Sequence, residues 1–107
     1  MEVPEIDIDT FAERVDAGAT VIDVREIDEY EDGHVPGATW IPLGDVPDRV
    51  GDVPSDREVL VICKSGGRSL RASEFLREHG VDAVNVRGGT MAWIDSGRSV
   101  VEGDQPG

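Results

Sequence analysis

At 107 residues the chain fits one domain, on the usual range of roughly 100 to 200 residues per domain, with length enough for a single core. Its 23 acidic and 10 basic residues leave a net charge of −13, a field that repels nucleic acid and anionic membranes and removes both as default partners. The longest apolar run, Val59 to Cys63, is far too short to span a bilayer, and Met1-Glu2-Val3-Pro4-Glu5 lacks the basic-then-apolar layout of a secretory signal. Lys64 is the only lysine among the basic residues, and this acid-rich, lysine-poor composition resembles that of proteins from salt-loving archaea, where concentrated ions screen the repulsion. Cys63 is the only cysteine, which excludes an internal disulfide and a four-cysteine zinc site and fits a reducing, cytoplasmic interior. The expectation is a single soluble, monomeric domain over 1–107, with its core from about 5 to 98 and loose ends at 1–4 and 102–107.

Ile6 and Ile8 alternate with acids and predict a short edge strand. Thr10 followed by Glu13 reads as a capping box for a helix that carries Phe11, Ala12 and Val15 and ends at Gly18. Strands are expected at Thr20–Val24 and Thr39–Ile41, the second stopped by Pro42, and between them the acidic run Glu26–Asp32 reads as a solvated face. A short acidic helix over Asp45–Val50 precedes Val59–Ile62, apolar at every position, as in a strand buried on both faces of a parallel sheet. Ser69–His79 is the clearest helix, with Ala72, Phe75 and Leu76 on one face and Gly80 as its stop. A further strand over Ala83–Val86 and a short helix over Thr90–Asp95 complete the pattern. Strands and helices alternating through short connections predict an α/β fold, a mainly parallel central sheet with helices on both faces. Ligands in such folds bind beyond the carboxyl ends of the strands, which is where Cys63 falls.

The segment Cys63-Lys64-Ser65-Gly66-Gly67-Arg68-Ser69 joins the most apolar strand to the clearest helix. Gly66 and Gly67 allow a tight curl in which successive N–H groups turn inward as an anion-binding nest, and the helix start adds its dipole. A thiol at the mouth of such a nest ionises more easily than an ordinary one. Lys64 and Arg68 add positive charge against an acidic background. Cys63 is therefore the expected catalytic nucleophile, with Lys64, Ser65, Gly66, Gly67, Arg68 and Ser69 as its substrate-binding loop.

These residues resemble the active-site loop of the rhodanese (sulfurtransferase) family. Ile22-Asp23-Val24-Arg25-Glu26 is similar to the family's first-strand signature, and Tyr30 with Gly33-His34-Val35-Pro36-Gly37-Ala38 to its next loop. Arg87-Gly88-Gly89 followed by Ala92-Trp93 is similar to its C-terminal signature. The resemblance runs from about Ile6 to Gly97 and implies a rhodanese-like fold. It also implies that Cys63 takes a sulfane sulfur from a donor such as thiosulfate or a persulfide and holds it as a persulfide. The sulfur then passes to a thiol or other nucleophilic acceptor, which a protein can supply. Rivals are a persulfide relay or binding module, although silent modules of this kind lack the cysteine, and a phosphatase or arsenate reductase. Cysteine phosphatases use a loop one residue longer than the one separating Cys63 from Arg68.

Asp23 and Arg25, with Glu26, are expected to form a charge network supporting the site. His34 is expected in a structural or rim role and His79 as a partner of a helix C-terminus. Trp40 and Trp93 read as core or rim aromatics, and Gly88 and Gly89 as points of close backbone approach beside the loop. The pattern calls for no cofactor and no metal. Glu26–Asp32 departs from the arginine-bearing substrate site that some larger rhodaneses place near here, which argues against free thiosulfate as the natural donor.

Overall fold

The computed structural model describes residues 2–107. Five parallel strands form one sheet in the order β1-β5-β4-β2-β3: β1 Glu5–Ile6, β2 Thr20–Asp23, β3 Thr39–Trp40, β4 Glu58–Ile62 and β5 Asp82–Val86. The helices are α1 Ile8–Asp16, α2 Ile27–Asp32, α3 Val46–Arg49, α4 Gly67–Glu78 and α5 Gly89–Asp95. Alternation along β4 divides the core. Val59 and Val61 pack with Ala72 and Leu76 of α4, whereas Leu60 and Ile62 face Phe11 of α1, Tyr30 of α2 and Trp93 of α5. Val59, Leu60, Val61 and Ile62, four of the five β4 residues, are 0 % exposed, as a continuously apolar central strand requires.

Several local expectations shift. Asp7, not Thr10, caps α1: its Oδ1 accepts the Thr10 N–H at 2.8 Å, so Ile8 opens the helix instead of extending the edge strand. The short acidic helix is broken into two 3-10 turns around α3, with Pro47 near the start of α3. α4 begins two residues before Ser69, which brings Gly67 and Arg68 into its first turn. The acidic run is not merely a solvated face. Its central part is α2, with a reciprocal Glu26–Glu29 capping box, and Tyr30 within it is fully buried.

Of the ends expected to be loose, Met1 lies outside the described residues, and the others make backbone hydrogen bonds to the domain at Pro4, Gly103 and Pro106. The Pro4 carbonyl accepts the Asn85 N–H at 2.9 Å, continuing the edge pairing of β1. At the other end Val101 bridges His34, Gly103 N–H donates to the Glu31 carbonyl at 2.8 Å, and the Gly37 N–H donates to the Pro106 carbonyl at 2.8 Å. His34 is fully buried, stacked on the Tyr30 ring at 3.6 Å, and its Nδ1 and Nε2 lie 2.8 and 2.9 Å from the carbonyls of Tyr30 and Gln105. The tail thus supplies acceptors and donors that the buried turn around His34 otherwise lacks. Removing residues 102–107 should lower stability by about 1–3 kcal/mol, read as a drop in Tm by calorimetry; an unchanged Tm would mean the tail is a passenger.

Candidate active site

Cys63 follows β4 and is 1 % exposed. Its thiol sits at the N-terminus of α4, with the Gly66 N–H 3.1 Å and the Ser69 hydroxyl 3.3 Å from Sγ. Burial pushes the thiol up, but the Ser69 hydroxyl and the backbone N–H groups of Ser69, Gly66 and Ser65 outweigh it, and Cys63 lies below the ordinary thiol range. Gly66, at φ +120°, is the residue that turns the chain into the helix. Gly67 does not share this role, because it lies within the helix and has no positive φ.

The curl is held from behind by α5. The Thr90 N–H and hydroxyl donate to the Cys63 carbonyl at 2.9 and 3.0 Å, and the Met91 N–H donates to the Lys64 carbonyl at 3.0 Å. The second of these bonds fixes the Lys64–Ser65 peptide plane, and so the direction of the Ser65 N–H, one of the three backbone donors to the sulfur. Contact this close needs glycine: a Cβ on Gly89 would lie 2.5 Å from the Lys64 carbonyl oxygen and 2.6 Å from that of Cys63. Gly88, at φ +84°, takes the left-handed turn that starts α5. The close approach to the loop expected of both glycines is made by Gly89 alone, whereas a Cβ on Gly88 would meet Ala92 of α5 at 2.7 Å.

Arg68 does not close over the thiol. Its Nη1 and Nη2 donate to the two carboxylate oxygens of Glu29 at 2.7 and 2.9 Å, fastening α4 to α2. Lys64 remains exposed and, with Arg25, Glu29 and Met91, lines a shallow cavity of about 250 Å³. Asp23 and Arg25 form a buried pair: Asp23 Oδ2 accepts Arg25 Nη2 at 2.9 Å, and the same nitrogen donates to the Gly33 carbonyl at 2.9 Å. This pair locks the end of β2 to the end of α2. Glu26 is not part of it, since it caps α2 instead. His34 lies against the C-terminal segment, its Nε2 2.9 Å from the Gln105 carbonyl. His79 Nδ1 lies 2.9 Å from the Phe75 carbonyl near the end of α4, and Trp93 is a core aromatic edge-on to Phe11. Asn85 escaped the sequence reading. It is 1 % exposed on β5, with Oδ1 2.5 Å from the Ser69 hydroxyl, and the signal was a lone amide in an otherwise apolar strand.

The Rhodanese-like domain family profile matches residues 7–96. The chain belongs to the rhodanese-like domain family. Among its relatives, YtwF of Bacillus subtilis, provisionally named a sulfurtransferase, is 40% identical over 95 residues, covering 87% of this chain and 92% of that protein. YrkF of the same organism, provisionally named a sulfur carrier protein, is 39% identical over 94 residues, covering 85% of this chain and 51% of its own length. A solved rhodanese-related protein from Thermoplasma volcanium superposes with a TM-score of 0.86 at 35% identity, covering 92% of this chain and 97% of that one. The fold of this rhodanese-like protein is thus the one its sequence motifs implied. Among the described residues, no helix is long and apolar enough to cross a membrane.

The Arg68–Glu29 pair has a pH signature in this rhodanese-like protein. Hydrogen bonding from Arg68 lowers the Glu29 carboxyl to about 2. A carboxyl held below its unfolded value contributes fully above that value and loses its contribution as pH falls through the folded one. Glu29→Gln should therefore cost about 1 kcal/mol at neutral pH, with partial exposure of the pair screening the rest. The difference from wild type in denaturant titrations should shrink below about pH 4 and vanish near pH 2.

Proposed function

We propose that the protein is a sulfurtransferase that carries sulfur as a persulfide on Cys63. The observation that carries this reading is the thiol itself, single in the chain, held by the Gly66 N–H at 3.1 Å and the Ser69 hydroxyl at 3.3 Å. In the first half-reaction the Cys63 thiolate attacks the sulfane sulfur of a donor. For thiosulfate the sulfur–sulfur bond breaks and sulfite departs with the electron pair, leaving Cys63–S–S⁻. The loop amides lower the energy of the charged sulfur as an oxyanion hole does for oxygen. In the second, an acceptor thiolate bonds to the outer sulfur, and the electron pair of the broken bond returns to Cys63 Sγ. A thiolate below the ordinary range is a good leaving group for that step.

Phosphatase chemistry fits less well. The arginine that would grip phosphate oxygens is bonded through both terminal nitrogens to Glu29. A protein-to-protein sulfur relay is a second reading, favoured by the likeness to a protein provisionally named a sulfur carrier. The acceptor on that reading is a partner's thiol, which must come from outside because this chain has no second cysteine.

Intact mass after incubation with thiosulfate should show one added sulfur, absent in Cys63→Ser. After desalting, the adduct should persist until a thiol is added, and transfer kinetics should be ping-pong. Substantial transfer by the serine variant would refute the assignment. Exposed Lys64 is expected to draw anionic donors toward the loop. Lys64→Glu should raise KM for thiosulfate by about fivefold at low salt, and the difference should fade as ionic strength rises. Kinetics unchanged at low salt would make Lys64 a bystander.

A further inference from the structure

The Ser69 hydroxyl has one hydrogen to donate and faces three acceptors. Cys63 Sγ is 3.3 Å away, the Gly66 carbonyl 3.2 Å and Asn85 Oδ1 only 2.5 Å. The Asn85 amide is oriented from its other side. Its Nδ2 donates to Glu5 Oε2 at 2.8 Å and to the Gly66 carbonyl at 3.2 Å. A carboxylate and a carbonyl only accept, so the reversed amide would set oxygen against two oxygens. Oδ1 therefore faces Ser69, and it too can only accept. The Asn85 oxygen, the Gly66 carbonyl and the Cys63 sulfur thus compete for a single hydrogen, and the Asn85 oxygen is the nearest of the three.

We infer that Asn85 is a positioning residue which, by competing for the Ser69 hydrogen, sets how readily the Cys63 sulfur takes on negative charge. The inference rests on Cys63 being the sulfur-carrying thiolate. While the thiol is protonated, Ser69 donates to Asn85 Oδ1 and its oxygen lone pair accepts the S–H. When the thiol proton leaves to solvent, the hydroxyl turns and donates to the sulfur, giving up its bond to Asn85. One proton departs, one hydroxyl rotates, and no bond between heavy atoms changes. The Gly66 N–H is directed at the sulfur in both arrangements. Ser69 thus favours the ionised sulfur, and the Asn85 carbonyl opposes it through Ser69.

The charged groups around the thiol are Lys64 beside it, Arg68 of α4 with its partner Glu29 of α2, and the Asp23–Arg25 pair at the end of β2. Glu5 of β1 lies behind Asn85, and Arg87 follows β5. The variants that test the inference leave all of them in place.

The pH dependence of iodoacetamide alkylation of the full chain reads Cys63 alone, because no other thiol is present. Ser69→Ala should raise the midpoint by about one pH unit, about a tenfold loss of thiolate at fixed pH below it. Asn85→Val, which removes the competing acceptor with a residue suited to a buried strand, should lower the midpoint by about half a unit. If Val disturbs the strand, Asn85→Ala removes the same acceptor with less bulk. In the Ser69→Ala background the Asn85 substitution should have no effect on the midpoint. An unchanged midpoint in Ser69→Ala overturns the inference on its own. So does an Asn85 effect that persists undiminished without the Ser69 hydroxyl, since that is what a merely structural role would give. Alkylation needs no sulfur donor. Sulfur transfer surviving in Cys63→Ser would therefore defeat the proposed function while leaving the Ser69–Asn85 coupling measurable.

Discussion

Two backbone amides of α5 hold two carbonyls at the start of the loop after β4, and the place of the loop beside the sheet rests on that attachment. With the Cys63 and Lys64 carbonyls bonded to Thr90 and Met91, the peptide planes of the curl have little freedom to reverse. Of the amides that reach the sulfur, the Ser65 N–H lies in the plane that the Lys64 carbonyl fixes. Gly89 permits the approach, since any side chain there would occupy the space of both carbonyl oxygens. The conserved quantity in this design is a direction, inward for N–H and outward for C=O. Lowering of the thiol then needs no cation in contact with it: burial pushes the thiol up, and the Ser69 hydroxyl and the backbone donors outweigh that burial.

Charge plays a different part from the one the sequence suggested. Arg68 is a clamp between α4 and α2, and Arg25 a clamp between β2 and the end of α2. Both guanidinium groups match a carboxylate fork, a geometry lysine cannot reproduce. Lys64, next to Cys63 in the chain, is exposed, and its side chain makes no ion pair among the described residues. This acidic protein thus holds these two arginines in structural pairs and leaves its single lysine exposed.

What was legible in the sequence was local. The apolar run of β4, the glycines of the curl, the amphipathic α4 and the Gly88–Gly89 turn each carry their meaning within a few residues. What was hidden depended on partners distant in the chain. Glu29 lies 39 residues from Arg68, and nothing in either segment alone announces the bond. Glu5 is 80 residues from the Asn85 amide that it orients. The acidic helix α2 was obscured because its charges outnumber the one buried ring, Tyr30, that docks it. The C-terminal segment read as loose because its contacts are made by main-chain atoms, which composition cannot register.

The helices that hold the curl lie on opposite faces of the sheet. Ala72 and Leu76 of α4 pack on one layer, and Trp93 of α5 on the other. The loop is thus a strap over the rim of a sandwich, anchored above and below, and the sheet between them is its spacer. A volume change at Val61 bears on the α4 anchor, while one at Leu60 bears on the side that carries α5. Neither residue is near enough in chemistry to take part in sulfur transfer, yet both gauge the span that the strap must cover. In this architecture the loop that carries the single sulfur of a cysteine leans on the packing of both faces of the sheet at once.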